Sequence, residues 1–183
     1  VNSVNVRLPN ILKYLNDYQP DILCLQELKC SSDKYPLQAF IDSGYESIQS
    51  CQKTYNGVSI LSKIKPKDIE INPVMINKDE MRSISGTYDG IRVINFYVVN
   101  GQSIGSDKYK HKMKWLKKAY TYISKQLQTH NKLVVVGDFN IVPSESDAHN
   151  FSANDILCSD DERGALQDII DLGLVDCFRP EAD

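Results

Sequence analysis

No apolar run in the chain approaches the roughly 18 residues that a membrane-crossing helix needs, so no such helix is expected. The opening, Val1 to Arg7, has no charged segment followed by an apolar one, and no secretion signal is read there. No two of the five cysteines, at positions 24, 30, 51, 158 and 177, are spaced CxxC, which argues against a structural zinc site. An odd cysteine count without a secretion signal points to reduced thiols and a cytoplasmic protein. A global basic excess is also missing: 21 Lys and Arg stand against 24 Asp and Glu, for a net charge of −3. Binding to nucleic acid must therefore rest on local charge. There is no internal repeat, no low-complexity segment and no linker rich in Gly, Ser or Pro. One domain over residues 1–183 is the economical expectation. The chain does not begin with Met, so its native N-terminus is expected to lie upstream.

What is present is an alternation of helical and strand patterns. From Asn10 to Tyr18, Ile11, Leu12 and Leu15 share one side, with Pro9 placed for a first helical turn. Asp21 to Gln26 is a short apolar run behind Pro20 and reads as a buried strand, and Gly57 to Ser62 reads as another. Arg82 to Thr87 and Ile91 to Val98 form a strand pair around Tyr88-Asp89-Gly90, since Asp-Gly is a strong hairpin signal. A long helix is expected over Lys108 to Gln128, where Leu116, Ala119, Tyr120, Ile123 and Leu127 keep helical spacing. Leu133 to Val136 is a buried strand that ends in Gly137-Asp138. The polar stretch Ser144 to Asp161 is a long surface loop, of the kind that often carries function. Glu162 to Leu172 is a helix, with Gly173 at its C-terminal cap. Helices alternating with buried strands, plus a hairpin, define an α/β layered fold with a mixed sheet.

Two of these strands end in carboxylates. LCLQE delivers Glu27 and VVVGDFN delivers Asp138 and Asn140. Strand ends in layered α/β proteins are where ligands bind, and alternation puts Asp138 and Asn140 on one side of an extended backbone. Carboxylates and amides are hard oxygen donors, suited to Mg²⁺ or Mn²⁺, the usual partners of phosphate chemistry. Tyr97 and Asn100 could donate to a phosphate, and Arg82 could pair with a nucleic-acid backbone. Each of these residues also has a plainer reading: a solvent-facing Glu27, a turn-forming Asp138, a half-buried Tyr97, a turn at Asn100 and a surface strand Arg82. Lys108, Lys110, Lys112, Lys114, Lys117 and Lys118 crowd one stretch, either as a solvated helix face or as a patch that tracks phosphates.

These residues, taken in order, resemble the exodeoxyribonuclease III and apurinic/apyrimidinic endonuclease family, within the endonuclease/exonuclease/phosphatase superfamily. VNSVNVRLPNILKYL, QPDILCLQELK, YNGVSILSK, INFYVVNG, KYKHKMKWL, VVVGDFNIVPSESD and ALQDIIDLGLVDCFR each resemble a block of that family, nearly end to end. The resemblance implies a four-layer α/β sandwich, with two mixed β-sheets face to face and helices outside. It implies a monomeric, metal-dependent DNA-repair nuclease acting on double-stranded DNA, cutting 5′ to abasic sites, 3′→5′ from ends, or both. Under it, Glu27 holds Mg²⁺ (or Mn²⁺), and Asp138 orients or deprotonates the attacking water or protonates the leaving group. Asn140 and Tyr97 bind the scissile phosphate with help from Asn100. Asn2 supports the site, and Phe178 is the candidate wall of a pocket for the extruded abasic sugar. From the residues themselves, Arg82 and Lys108 are the candidates for contact with DNA.

The chain departs from the family pattern at both ends. The first Asn of the family's opening Trp-Asn-x-Asn motif would precede Val1. The C-terminal Asp and the Ser-Asp-His block are absent: none of His111, His130 and His149 follows Ser-Asp. The resemblance therefore implies a segment whose last strands lie beyond Asp183, with full activity expected of the complete protein. Two other readings stay open. One is a relative acting on phospholipids, inositol phosphates or RNA, which the DCFR block disfavours. The other is a catalytically dead DNA-binding protein, which the retention of Glu27, Tyr97, Asp138 and Asn140 disfavours.

Overall fold

The computed structural model describes residues 1–177, which divide into two compact units. The first comprises Val1–Val98 and Leu127–Phe139, and the second Val99–Gln126 and the residues from Asn140 onward.

The first unit holds both sheets. Its elements are α1 (Val4–Tyr18), β1 (Ile22–Gln26), α2 (Leu37–Asp42), β2 (Glu46–Ser50), β3 (Val58–Ser62), β4 (Lys67–Ile71), β5 (Ser83–Tyr88), β6 (Ile91–Tyr97) and β7 (Leu133–Asp138). One sheet has the order β1-β3-β2 and is antiparallel throughout. The other has the order β4-β5-β6-β7 and is mixed, because β6 and β7 run parallel. The expected α/β architecture with two sheets is what the chain adopts, with one of the described sheets antiparallel rather than mixed.

Side-chain alternation on β3 shows how the layers are built. Ile60 joins Ile48, Val58, Ile84, Tyr88 and Val93, a cluster that draws on both sheets. Its neighbour Leu61 points the other way, into a cluster with Ile11 and Leu15 of α1, Phe40 of α2, and Tyr45. Every residue of β3 is buried, Ser59 and Ser62 included, which is why GVSILS shows no alternation of apolar and charged positions. A buried Asn95 ties the sheets together: its amide donates to the carbonyls of Leu25 (3.0 Å) and Ser59 (2.9 Å) and accepts from Gln26 (2.7 Å).

Two elements bear on the sequence expectation in opposite ways. The first helix begins at Val4, not Asn10, and Pro9 lies inside it. Ser3 caps its start, and its hydroxyl accepts from the Val6 amide. Pro9 deprives the Asn5 carbonyl of its helical partner, but Asn5 is exposed to water. Burial of Val4 outweighs the break, since Val4 is wholly inside the core. The hairpin, in contrast, forms as expected. Asp89 and Gly90 both take positive φ, +49° and +80°, between the paired Tyr88 and Ile91.

The second unit is built on α3 (Asp107–Leu127, whose last residue falls in the first unit) and α4 (Asp160–Ile170). The buried face of α3 carries Tyr109, Lys112, Trp115, Leu116, Ala119 and Ile123. Ser159 caps α4 in a reciprocal bond with Glu162. Among the described residues no helix is long and apolar enough to cross a membrane.

Candidate active site

In the first unit, three chain segments deliver the expected groups. Tyr97 is the last residue of β6 and Asp138 the last of β7, and the two are direct partners in the parallel register. The Val98 amide donates to the Asp138 carbonyl at 2.9 Å. Gly137 makes this pairing possible. Its φ is +145°, and a Cβ there would sit 2.0 Å from the Phe96 carbonyl oxygen. Only glycine lets β7 close on β6 at that point. Asp138 is thus set by the strand register rather than by a turn.

Glu27 follows β1 directly, in a left-handed conformation with φ +59°, and Lys29 is left-handed as well at +50°. Four main-chain bonds hold this loop. The amides of Ser3 and Val4 donate to the carbonyls of Glu27 (2.8 Å) and Leu28 (3.0 Å). The amides of Leu28 and Lys29 donate to Gly57 (3.2 Å) and Asn56 (3.0 Å). The Tyr97 hydroxyl donates to Glu27 Oε1. Lys29 Nζ lies 3.4 Å from Glu27 Oε2 and donates to Asn2 Oδ1 at 2.6 Å. The Glu27 side chain remains 28 % exposed, open to a ligand from solvent.

These interactions fix protonation states. The bond from Tyr97 holds the Glu27 carboxyl below its usual range against the opposing effect of burial, with help from the charge and hydrogen bond of Lys29. Burial, the bond to Glu27 and the nearby charges of Glu27 and Asp138 push the Tyr97 phenol well above its ordinary value, so it is a donor at neutral pH. Burial lifts the Cys24 thiol to about 12, which removes it as a nucleophile. The Arg82 guanidinium lies over the Tyr97 ring at 5.0 Å, donates to the Tyr97 carbonyl at 3.2 Å and approaches Glu80 at 3.8 Å. With only 13 % of its side chain exposed, Arg82 is engaged within the protein and braces Tyr97.

In the second unit, Asn100 Nδ2 donates to Asn140 Oδ1 at 3.2 Å, and Asn140 is left-handed with φ +50°. Lys112 departs from the sequence reading. Its place in the chain groups it with a solvated or phosphate-tracking lysine stretch, yet it is wholly buried. Its ammonium pairs with the equally buried Glu162 and donates to the carbonyls of Asn140 (2.5 Å) and Asn100 (3.3 Å). The reason lies in spacing: position 112 falls on the stripe of Tyr109, Leu116, Ala119 and Ile123. Lys108, Lys110, Lys114, Lys117 and Lys118 are exposed. Phe178 lies outside the described residues.

Sequence reasoning thus misses Lys29, Lys112 and Glu162. Lys29 follows no periodic pattern and carries no signal. Lys112 could be found from the apolar stripe, and Glu162 from the Ser-x-x-Glu capping box. Among the described residues no group of three His, Cys, Asp or Glu could hold a metal ion. Mg²⁺ does not require one. It is commonly held by one or two carboxylates, keeping several waters and taking phosphate oxygens. An ionised, part-exposed Glu27 at a strand end beside the Tyr97–Asp138 pair fits that demand.

The sequence matches the Endonuclease/Exonuclease/phosphatase family over residues 2–179, and the chain belongs to that family. It is 29% identical to exodeoxyribonuclease III of Haemophilus influenzae over 193 residues, covering 98% of this chain and 72% of that protein. Among solved structures it is similar to a 3′ phosphatase from Neisseria, NExo, bound to product DNA hairpin. That likeness has a TM-score of 0.91 and 41% identity, covering 94% of this chain and 68% of that one. It is likewise similar to an AP endonuclease from Archaeoglobus fulgidus, with a TM-score of 0.91 and 38% identity over 98% of this chain and 70% of that one. The DNA-repair nuclease expected from the sequence agrees with these relatives.

Proposed function

We propose that the complete protein is a nuclease of DNA repair that hydrolyses phosphodiester bonds of double-stranded DNA, 5′ to abasic sites, 3′→5′ from ends, or both. It works as a cytoplasmic monomer. The observation that carries the reading is the Tyr97–Glu27 hydrogen bond at the strand ends, with Asp138 opposite Tyr97 in the register. Glu27, held ionised, would bind Mg²⁺ or Mn²⁺, which when bound supplies positive charge to phosphate oxygens. Asp138 accepts the proton of the attacking water. Tyr97, held protonated, would turn its single proton from Glu27 to a non-bridging phosphate oxygen when substrate binds; the amide of Asn140, two residues beyond Asp138 in the chain, is likewise a phosphate donor. Asn100 donates to Asn140 and supports it. Asn2 accepts from Lys29 and keeps that ammonium from turning wholly onto Glu27. Arg82 steadies the Tyr97 ring, and Lys108 meets the DNA backbone from solvent.

The test is incubation of the complete protein with a duplex bearing a tetrahydrofuran abasic analogue, with Mg²⁺ and with EDTA. Nicking at the lesion should stop with EDTA, and Asp138→Asn should lower it by about 10²–10⁴-fold, the contribution of a positioned base. Nicking that survives both changes, or DNA binding without any nicking, would overturn the reading.

A further inference from the structure

Lys112 and Glu162 form an ion pair with neither side chain exposed to solvent. Such a pair is poorly explained by stability, since well-packed apolar residues of similar size often serve as well or better. What an apolar residue cannot do is donate hydrogen bonds. The Lys112 ammonium donates to the main-chain carbonyls of Asn140 and Asn100, residues far apart in sequence whose side-chain amides bond each other. Glu162 is itself held. Its Oε2 accepts from the Ser159 hydroxyl at 2.6 Å and the Ser159 amide at 3.2 Å, and the Tyr109 hydroxyl meets Ser159 at 2.9 Å. The Lys112 stem passes close to Gly101, where a Cβ would stand 3.2 Å from its Cδ and 3.0 Å from Ile156, so only glycine leaves it that room.

We infer that Lys112, anchored by Glu162, is a positioning residue: it fixes the left-handed backbone of Asn140 and so the direction in which the Asn140 amide presents its donors. With Oδ1 accepting from Asn100, the NH₂ side of that amide is turned the other way. The inference rests on the reading of Asn140 as a phosphate-binding amide. It assigns the helix lysine that looks like part of a DNA-tracking patch to the support of a single asparagine.

The experiment uses the complete protein and compares Lys112→Met/Glu162→Met, Asn140→Ala and the combination of all three. The double change removes both charges at once, so no isolated charge is left buried. It should fold with an unchanged circular dichroism spectrum and bind lesion DNA with a similar Kd. Its kcat for nicking should fall by about tenfold to 10²-fold, as expected when a group is misplaced rather than removed. In the Asn140→Ala background the same double change should lower kcat by less than about twofold, because the two act through one group. A second variant, Lys112→Arg, keeps a partner for Glu162 and should also lose kcat with Kd unchanged.

If Asn140→Ala is impaired while both Lys112 variants turn over like the parent, the inference falls and the reading of Asn140 stands. The inference also falls if the double change costs as much with Asn140→Ala as without it, the mark of a merely structural role. If Asn140→Ala alone leaves kcat intact, the reading beneath is wrong and the inference goes with it.

Discussion

The hydroxyl of Tyr97 donates to the carboxylate of Glu27, joining the end of one sheet's strand β6 to the residue that follows β1 of the other. One proton thereby sets the state of both groups. It makes Glu27 a better anion and Tyr97 a poorer acid.

Tyr97→Phe should therefore raise the Glu27 carboxyl toward the ordinary glutamate range, readable by NMR titration of that carboxyl. The sign for stability follows from linkage. A carboxyl depressed in the folded state contributes stability above its unfolded value, about 4.3, and loses it as pH falls through the lower folded value. The deficit of Tyr97→Phe relative to the parent should thus be larger at neutral pH than in strong acid. Equal deficits in denaturant midpoints at both pH values would mean that the bond does not shift Glu27.

Glu27→Gln keeps shape and hydrogen-bonding capacity and removes the charge. Divalent-cation affinity in a calorimetric titration should weaken by more than about tenfold, at least the loss seen when supporting groups around a metal are removed. Unchanged affinity would place the cation elsewhere.

Gly137→Ala sets a methyl against the Phe96 carbonyl, where the Cβ would meet oxygen at 2.0 Å. The β6–β7 pairing must shift, and Asp138 with it. The expected loss is about 3 kcal/mol or more of unfolding free energy, in the range of severe backbone strain. A chemical denaturation midpoint close to the parent's would contradict the strand geometry.

Replacing Lys108, Lys110 and Lys114 by Gln should flatten the salt dependence of DNA binding. The log–log slope should shrink by about 0.9 for each phosphate that a lysine no longer neutralises. An unchanged slope returns these exposed lysines to the role of a solvated helix face. Lys112 does not belong in this set, because it is buried.

Much of the fold can be read from the sequence where burial imposes a strong pattern. The strand at Val58–Ser62 is buried throughout, and the hairpin around Asp89-Gly90 has the turn chemistry that its twist requires. The helices expected from Lys108 and Glu162 begin at Asp107 and Asp160. The elements that leave little trace in the sequence are those with little to bury. In β4, KDIEI, four of five residues are exposed, and β2 begins with an exposed Glu46. β4 leans on its neighbour's hydrogen bonds, which leave no mark in the side chains, while β2 buries little beyond Ile48 and Ser50. Glu27 and Asp138 stand out as candidate site residues because each ends an apolar run. The parts played by Lys29 and Lys112 cannot, because a lysine's value in a charge count does not tell where its long stem leads.

The loop at 27–29 shares its four main-chain bonds among three separate stretches of chain, around Ser3, Leu28 and Gly57. It can open only if those stretches part together. The amides of Ser3, Val4, Leu28 and Lys29 should then exchange with deuterium as one slow group, at a rate typical of the sheets and not of an irregular connection. The carboxylate would be carried on some of the least mobile backbone in the unit, already shaped before any ligand arrives.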